Sequence, residues 1–118
     1  MGFILLLDNQ KSWIIDNVIL EKFLKTNYSV SAFSKIKNID RPYSYEWKTE
    51  VPTMEGFLHK DGDSVHIDGE FKDCFQFVIE LRKIIPEETK LLFFDSSYNY
   101  QAIIDKNTTS DNLKEVFM

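Results

Sequence analysis

Cysteine, glycine, proline and histidine are all scarce in this chain, and each shortage removes a class of chemistry. Cys74 is the lone cysteine, so an internal disulfide is excluded, and a reducing compartment fits. Four glycines are too few and too scattered for a P-loop or a Gly-x-Gly-x-x-Gly dinucleotide turn, and no Gly-x-Ser-x-Gly elbow is present. The two histidines, His59 and His66, form no His-Glu-x-x-His pair. Long apolar runs are missing as well. The first, Phe3 to Leu7, stops after five residues at Asp8, too short for a membrane span or the centre of a signal peptide. Met1-Gly2 is followed by Leu6 where a myristoylation motif needs Ser or Thr. These absences predict a cytoplasmic protein with no membrane association.

What is present suits a folded domain. Hydrophobic residues make up 43% of 118 positions and aromatics 14%, which argues against disorder and for one α+β domain spanning residues 1–118. The net charge of −5 is uneven. Residues 1–59 hold seven acids and seven bases, whereas residues 60–118 hold twelve acids and seven bases. Five acids against one lysine fall between Asp61 and Asp73. Phosphate backbones demand the opposite sign, so direct nucleic-acid binding is not expected; a basic protein partner is compatible.

The centre of the chain is the most explicit. Asp61-Gly62 between two strand-like runs predicts a two-residue hairpin, because these residues tolerate positive φ. A turn over 60–63 sets Leu58 opposite Val65 and Phe57 opposite His66. Side chains alternate, so Leu58, Val65 and Ile67 share a core face, and Phe57, His59, Ser64 and His66 share the other. Asp68-Gly69 turns the chain into a helix, with Asp73 as its cap, apolar residues at 74, 77, 78, 81 and 85, and Pro86 as its stop.

Elsewhere the patterns predict a strand over Phe3–Leu7 and a helix from Trp13 to about Lys25 capped by Ser12. A strand follows within 28–36. Tyr43 to Val51 alternates, with Tyr45, Trp47, Thr49 and Val51 on one face. Lys90–Asp95 and the stretch from Tyr98 to Asp105 are strands joined at Asp95-Ser96-Ser97. A short helix, Asp111–Phe117, capped by Thr109 or Ser110, buries Leu113, Val116 and Phe117. The outline is β-α-β-β-β-β-α-β-β-α: a mostly antiparallel sheet with two main helices and a short C-terminal helix, the helices on one face.

Tests for chemistry return little. The segment from Asp61 has the look of a calcium loop, but Val65, His66 and Lys72 stand where that loop needs an oxygen ligand, Gly and Glu. His59 and His66 with a carboxylate suggest a small metal-dependent enzyme, yet two imidazoles do not specify a zinc site. Cys74 fits a buried helix face better than a reactive thiol. No catalytic residue, cofactor or metal is expected. Trp47 suits the core, while Tyr43, Tyr98 and Tyr100 are surface-prone and of the type that anchors interfaces.

The stretch Glu46-Trp47 through Val51-Pro52-Thr53, then Glu55-Gly56-Phe57-Leu58-His59-Lys60-Asp61-Gly62, Asp68-Gly69, Asp73-Cys74 and Leu92-Phe93-Phe94-Asp95 with Tyr98, resembles small bacterial immunity proteins of polymorphic-toxin and contact-dependent growth inhibition systems. The likeness covers residues 45 to 117 and lies in texture, size and acidity. It implies an inhibitor that binds a cognate toxin domain, commonly a nuclease. The expected contact surface is Asp61, Asp63, Glu70, Tyr98 and Tyr100. The alternatives are the histidine-based enzyme and a homo-oligomeric assembly subunit joined through a sheet edge or the first helix.

Overall fold

The computed structural model describes residues 2–8 and 12–118. Among them the order is β1 (Gly2–Asp8), α1 (Asn17–Asn27), β2 (Val30–Lys35), β3 (Tyr43–Thr49), β4 (Met54–His59), β5 (Ser64–Asp68), α2 (Phe71–Arg82), β6 (Lys90–Asp95), β7 (Gln101–Ile104) and α3 (Ser110–Phe117). This is the α+β order read from the sequence. The seven described strands form one sheet in the order β2-β3-β4-β5-β1-β6-β7, and every pairing is antiparallel.

The three described helices pack on one face. Leu20, Phe23 and Leu24 of α1, Cys74, Phe75, Phe77, Val78 and Leu81 of α2, and Leu113 and Phe117 of α3 join Phe3, Leu5, Leu7, Val65, Ile67, Leu91 and Phe93 of the sheet in one core. Aromatic rings lock the layers together. Phe3 stacks on Phe93 at 4.8 Å and meets Phe117 edge-on at 5.6 Å. Trp47 lies almost parallel to Phe77, 5.4 Å away. Burying rings of this size supplies much of the driving force for folding.

The central hairpin has the expected register, with Phe57 opposite His66 and Leu58 opposite Val65. The turn itself differs from the expected two-residue Asp61-Gly62 turn: the loop covers residues 60–63, Gly62 N–H bonds to the His59 carbonyl at 2.9 Å, and Gly62 alone in it takes a positive φ, 71°. Its carbonyl accepts from Ile15 N–H at 2.8 Å, and the Asp63 carbonyl accepts from Leu7 N–H at 2.8 Å. The tip is therefore held by two other parts of the chain.

Several boundaries differ from expectation. The first helix starts at Asn17, and its cap is Asp16, whose Oδ1 accepts from Ile19 N–H at 2.8 Å. Ser12 cannot cap it, because Ile15 is fully buried and bonded to the hairpin tip before the helix begins. In α2 the N-cap position belongs to Glu70, and Asp73 lies inside the first turn, where its charge still favours the helix dipole. That helix ends at Arg82, ahead of Pro86. β3 ends at Thr49, so Val51 falls in the following turn and is 79% exposed. Thr109 caps α3 through a capping box with Asn112, but Val116 is exposed rather than buried. Residues 9–11, which the sequence places in the break after β1, lie outside the described residues.

Candidate functional site

Because the helices occupy one side, the other side of the sheet has no second layer among the described residues. Sheets that face water usually carry polar side chains there. This one carries an apolar and aromatic band. Glu46, Phe57, His66, Ile4, Phe94 and Gln101 form one row across β3, β4, β5, β1, β6 and β7. Ser64, Leu6, Leu92 and Ile103 form the next. Ile4 is sheltered by its neighbours, Leu6, Phe57, Leu92 and Phe94 are half-buried, and Ile103 is exposed.

Tyr43 belongs to this face through a local irregularity. The pairing of β3 with β4 shifts register between Tyr43 and Tyr45. Tyr45 packs toward the core with Phe33, while Tyr43 stacks on Phe57 at 5.0 Å. The Tyr43 hydroxyl lies 3.1 Å from His66 Nε2. The Arg41 guanidinium sits over both rings, 5.9 Å from Tyr43 and 5.6 Å from Phe57, a cation–π arrangement. Burial, with His59 nearby as the lesser cause, holds the His66 pKa below its ordinary value, so this imidazole favours the neutral form beside the tyrosine.

His59 lies on the same face but is turned the other way. Its Nδ1 accepts from Asp61 N–H at 3.1 Å and faces Asp63 Oδ1 at 3.5 Å and Asp61 Oδ2 at 3.8 Å. Tyr43 meets the rings of both histidines. The two imidazoles thus have separate partners: a phenol for His66, and the hairpin aspartates for His59.

No family model, no curated protein and no solved structure matches the chain.

The five residues expected at a contact surface do not form one cluster. Asp61 and Asp63 occupy the hairpin tip, at the end of the sheet where β1 finishes. Tyr98 and Tyr100 sit at the opposite end, where Ser96 N–H bonds to Gly2, and Glu70 lies near that end on the turn into α2. A seven-residue strand separates the ends, roughly 20 Å at the usual rise. The open face connects them: the Tyr98 ring packs on Phe94 at 5.8 Å. Asp95 shapes the tyrosine turn, accepting from the Ser97 hydroxyl and from Tyr100 N–H at 2.8 Å, and these bonds, the Ser97 one foremost, lower its pKa.

Sequence reasoning placed Phe57, His59, Ser64 and His66 together, but it missed Ile4, Leu6, Leu92 and Phe94. Their runs are apolar at every position, so no period marks which residues face outward. Next to Phe57 the face holds a depression of about 350 Å³ lined by Ala32, Ser34, Glu46, Lys48, Glu55 and Phe57 among others. Lys48 approaches Glu55 at 3.8 Å, which leaves the depression acidic on balance. Cys74 is fully buried, and burial pushes its thiol up to about 12, which is structural rather than reactive behaviour. No described helix is long and apolar enough to cross a membrane.

Proposed function

We propose that the protein is a cytoplasmic binding protein of the immunity type, which neutralises a cognate basic toxin domain by covering it with the open face of its sheet. One observation carries this reading: the helix-free face bears an aromatic and aliphatic band running from Tyr43 and Phe57 to Phe94 and Tyr98. A face of half-buried rings and aliphatic side chains, broken by His66 and flanked by polar groups, is the kind of surface that marks an interaction site. Charge argues for the partner's sign. The depression beside Phe57 sets Glu46 and Glu55 against Lys48, and the hairpin tip adds Asp61 and Asp63. A Lys or Arg of the partner fits there, with its apolar surface against Phe94 and Phe57. Asp61 and Asp63 would lie at one margin of the footprint and Tyr98 and Tyr100 at the other. A standard interface of about 800 Å² per partner is wide enough to reach both.

The test compares the tagged protein with Phe94→Lys, on the open face, and Val18→Lys, at an exposed position of α1. The reading expects a basic toxin domain to bind the parent and the α1 variant, to be inhibited at one-to-one stoichiometry, and to lose affinity about 30-fold or more for the open-face variant. Unchanged binding by Phe94→Lys would place the interface elsewhere. A dimer in sedimentation that Phe94→Lys dissociates would replace the toxin by a second copy of this chain.

A further inference from the structure

We infer that the tip of the β4–β5 hairpin is a binding site for a divalent transition metal of the zinc class, held by His59 Nδ1 and the carboxylates of Asp61 and Asp63. The inference stands on the hairpin geometry alone; it shares Asp61 and Asp63 with the partner reading, whose acidic margin a bound ion would neutralise, and the metal alone tests it.

One ligand atom from each of the three residues lies within 4.8 Å of the others, and Nδ1 is 3.5 Å from Asp63 Oδ1 and 3.8 Å from Asp61 Oδ2. Ligands about 2.1 Å from an ion stand roughly 3.0 to 3.4 Å apart in octahedral or tetrahedral geometry. Small side-chain rotations therefore close the site. The imidazole presents the right nitrogen, but it must turn off the Asp61 amide, at which its lone pair is aimed, to receive an ion. The Asp61 N–H that donates to Nδ1 at 3.1 Å identifies that nitrogen as the one bearing the lone pair, and turns it toward both carboxylates. An ion would take that lone pair, releasing an N–H that belongs to an exposed turn residue, where water can replace the bond.

The support beneath the ligands is rigid. Gly62 N–H bonds to the His59 carbonyl at 2.9 Å, and the carbonyls of Gly62 and Asp63 accept from Ile15 and Leu7. The Tyr43 ring meets the His59 ring edge-on. Ligands on a pinned turn lose less freedom on binding than ligands on a free loop. The donor set, one imidazole nitrogen and two carboxylates, suits zinc, cobalt, nickel or manganese. It leaves coordination positions for water or a partner's side chain. His66 is not a ligand here, its Nε2 being engaged by Tyr43.

The experiment is calorimetric titration of the chelator-treated full chain with zinc chloride. One equivalent should bind the parent. His59→Asn, Asp61→Asn and Asp63→Asn should each weaken binding about tenfold or more, while His66→Asn should leave it unchanged. Manganese chloride added to the unaltered, isotope-labelled protein gives a measurement free of folding effects: amide resonances of residues 59–63 should broaden first. No zinc binding up to about 1 mM, binding lost with His66→Asn but kept in Asp63→Asn, or broadening centred elsewhere would each overturn the site.

Discussion

Gly56→Ala is the substitution that tests the packing between β3 and β4 most directly. Gly56 lies opposite Trp47 and Ile67, on the core side of β4. A Cβ there would stand 2.5 Å from Trp47 Cζ2 and 2.8 Å from Cε2, and would press into the carbonyl oxygen of His66. Trp47 has no room to withdraw, since it is 1% exposed and its ring lies flat on Phe77. The carbonyl belongs to the neighbouring strand and cannot turn away without breaking the ladder. Overpacking by one methyl typically costs about 1–3 kcal/mol. With an aromatic ring and a backbone atom both in the way, we expect the upper end, about 3 kcal/mol. Total stability for a domain is about 5–15 kcal/mol, so the loss is a large fraction of it. Urea unfolding followed by tryptophan fluorescence checks this. With a slope of about 2 kcal/mol/M the midpoint should fall by about 1.5 M. A loss under about 0.5 kcal/mol at unchanged slope would show that Trp47 is not seated against Gly56.

Three further outcomes follow from single groups. Arg82, 7% exposed, donates to the carbonyls of Thr89 at 2.7 Å and Pro86 at 2.8 Å; Arg82→Met should cost about 2 kcal/mol in urea unfolding by stranding these acceptors, and a neutral result would discount both bonds. His66 has a folded pKa below the ordinary 6.5, so its contribution to stability is complete above that pH. As pH falls through 6.5 the unfolded chain takes up a proton the folded chain resists, and stability declines until the lowered folded value is reached; the drop between pH 7.5 and 5.5 should shrink in His66→Gln, and an equal drop would assign the effect to other groups. Cys74, its thiol pushed up to about 12, should react with a thiol reagent only as fast as the protein opens; rapid labelling of the folded state would contradict its burial.

The register of the hairpin was legible in the sequence because it depends on a period of two and a local turn, although the turn closes from Gly62 N–H to the His59 carbonyl rather than around Asp61-Gly62 as its two central residues. The start of α1 was not. Ser12 satisfies a cap pattern, but a distant contact, Ile15 N–H to the Gly62 carbonyl, claims the chain just before the helix, and Asp16 becomes the cap. The face of Tyr43 was hidden for a similar reason, since the register shift after it leaves no mark in the alternation. The acids of the hairpin tip were visible, and so was His59. Their convergence on Nδ1 was not, because the sequence paired that histidine with His66 across the sheet. Sheet order was also beyond reach, since nothing in Phe3–Leu7 tells which two strands will flank it.

That flanking has a consequence for how the chain folds. β2 to β5 form an unbroken meander and β6 and β7 a hairpin, each built from neighbours in sequence, whereas β1 pairs with β5 and β6 and joins the two pieces. The partners of Phe3 are Ile67 and Asp95, so the seam closes only by contacts spanning most of the chain. Such long loops are slow to close. If the two local pieces gather first, β1 closes the seam last, and the middle of the finished sheet is then the latest part to assemble. Until then the inner edges of β5 and β6 are unpaired, and during that interval either could accept a strand from another molecule.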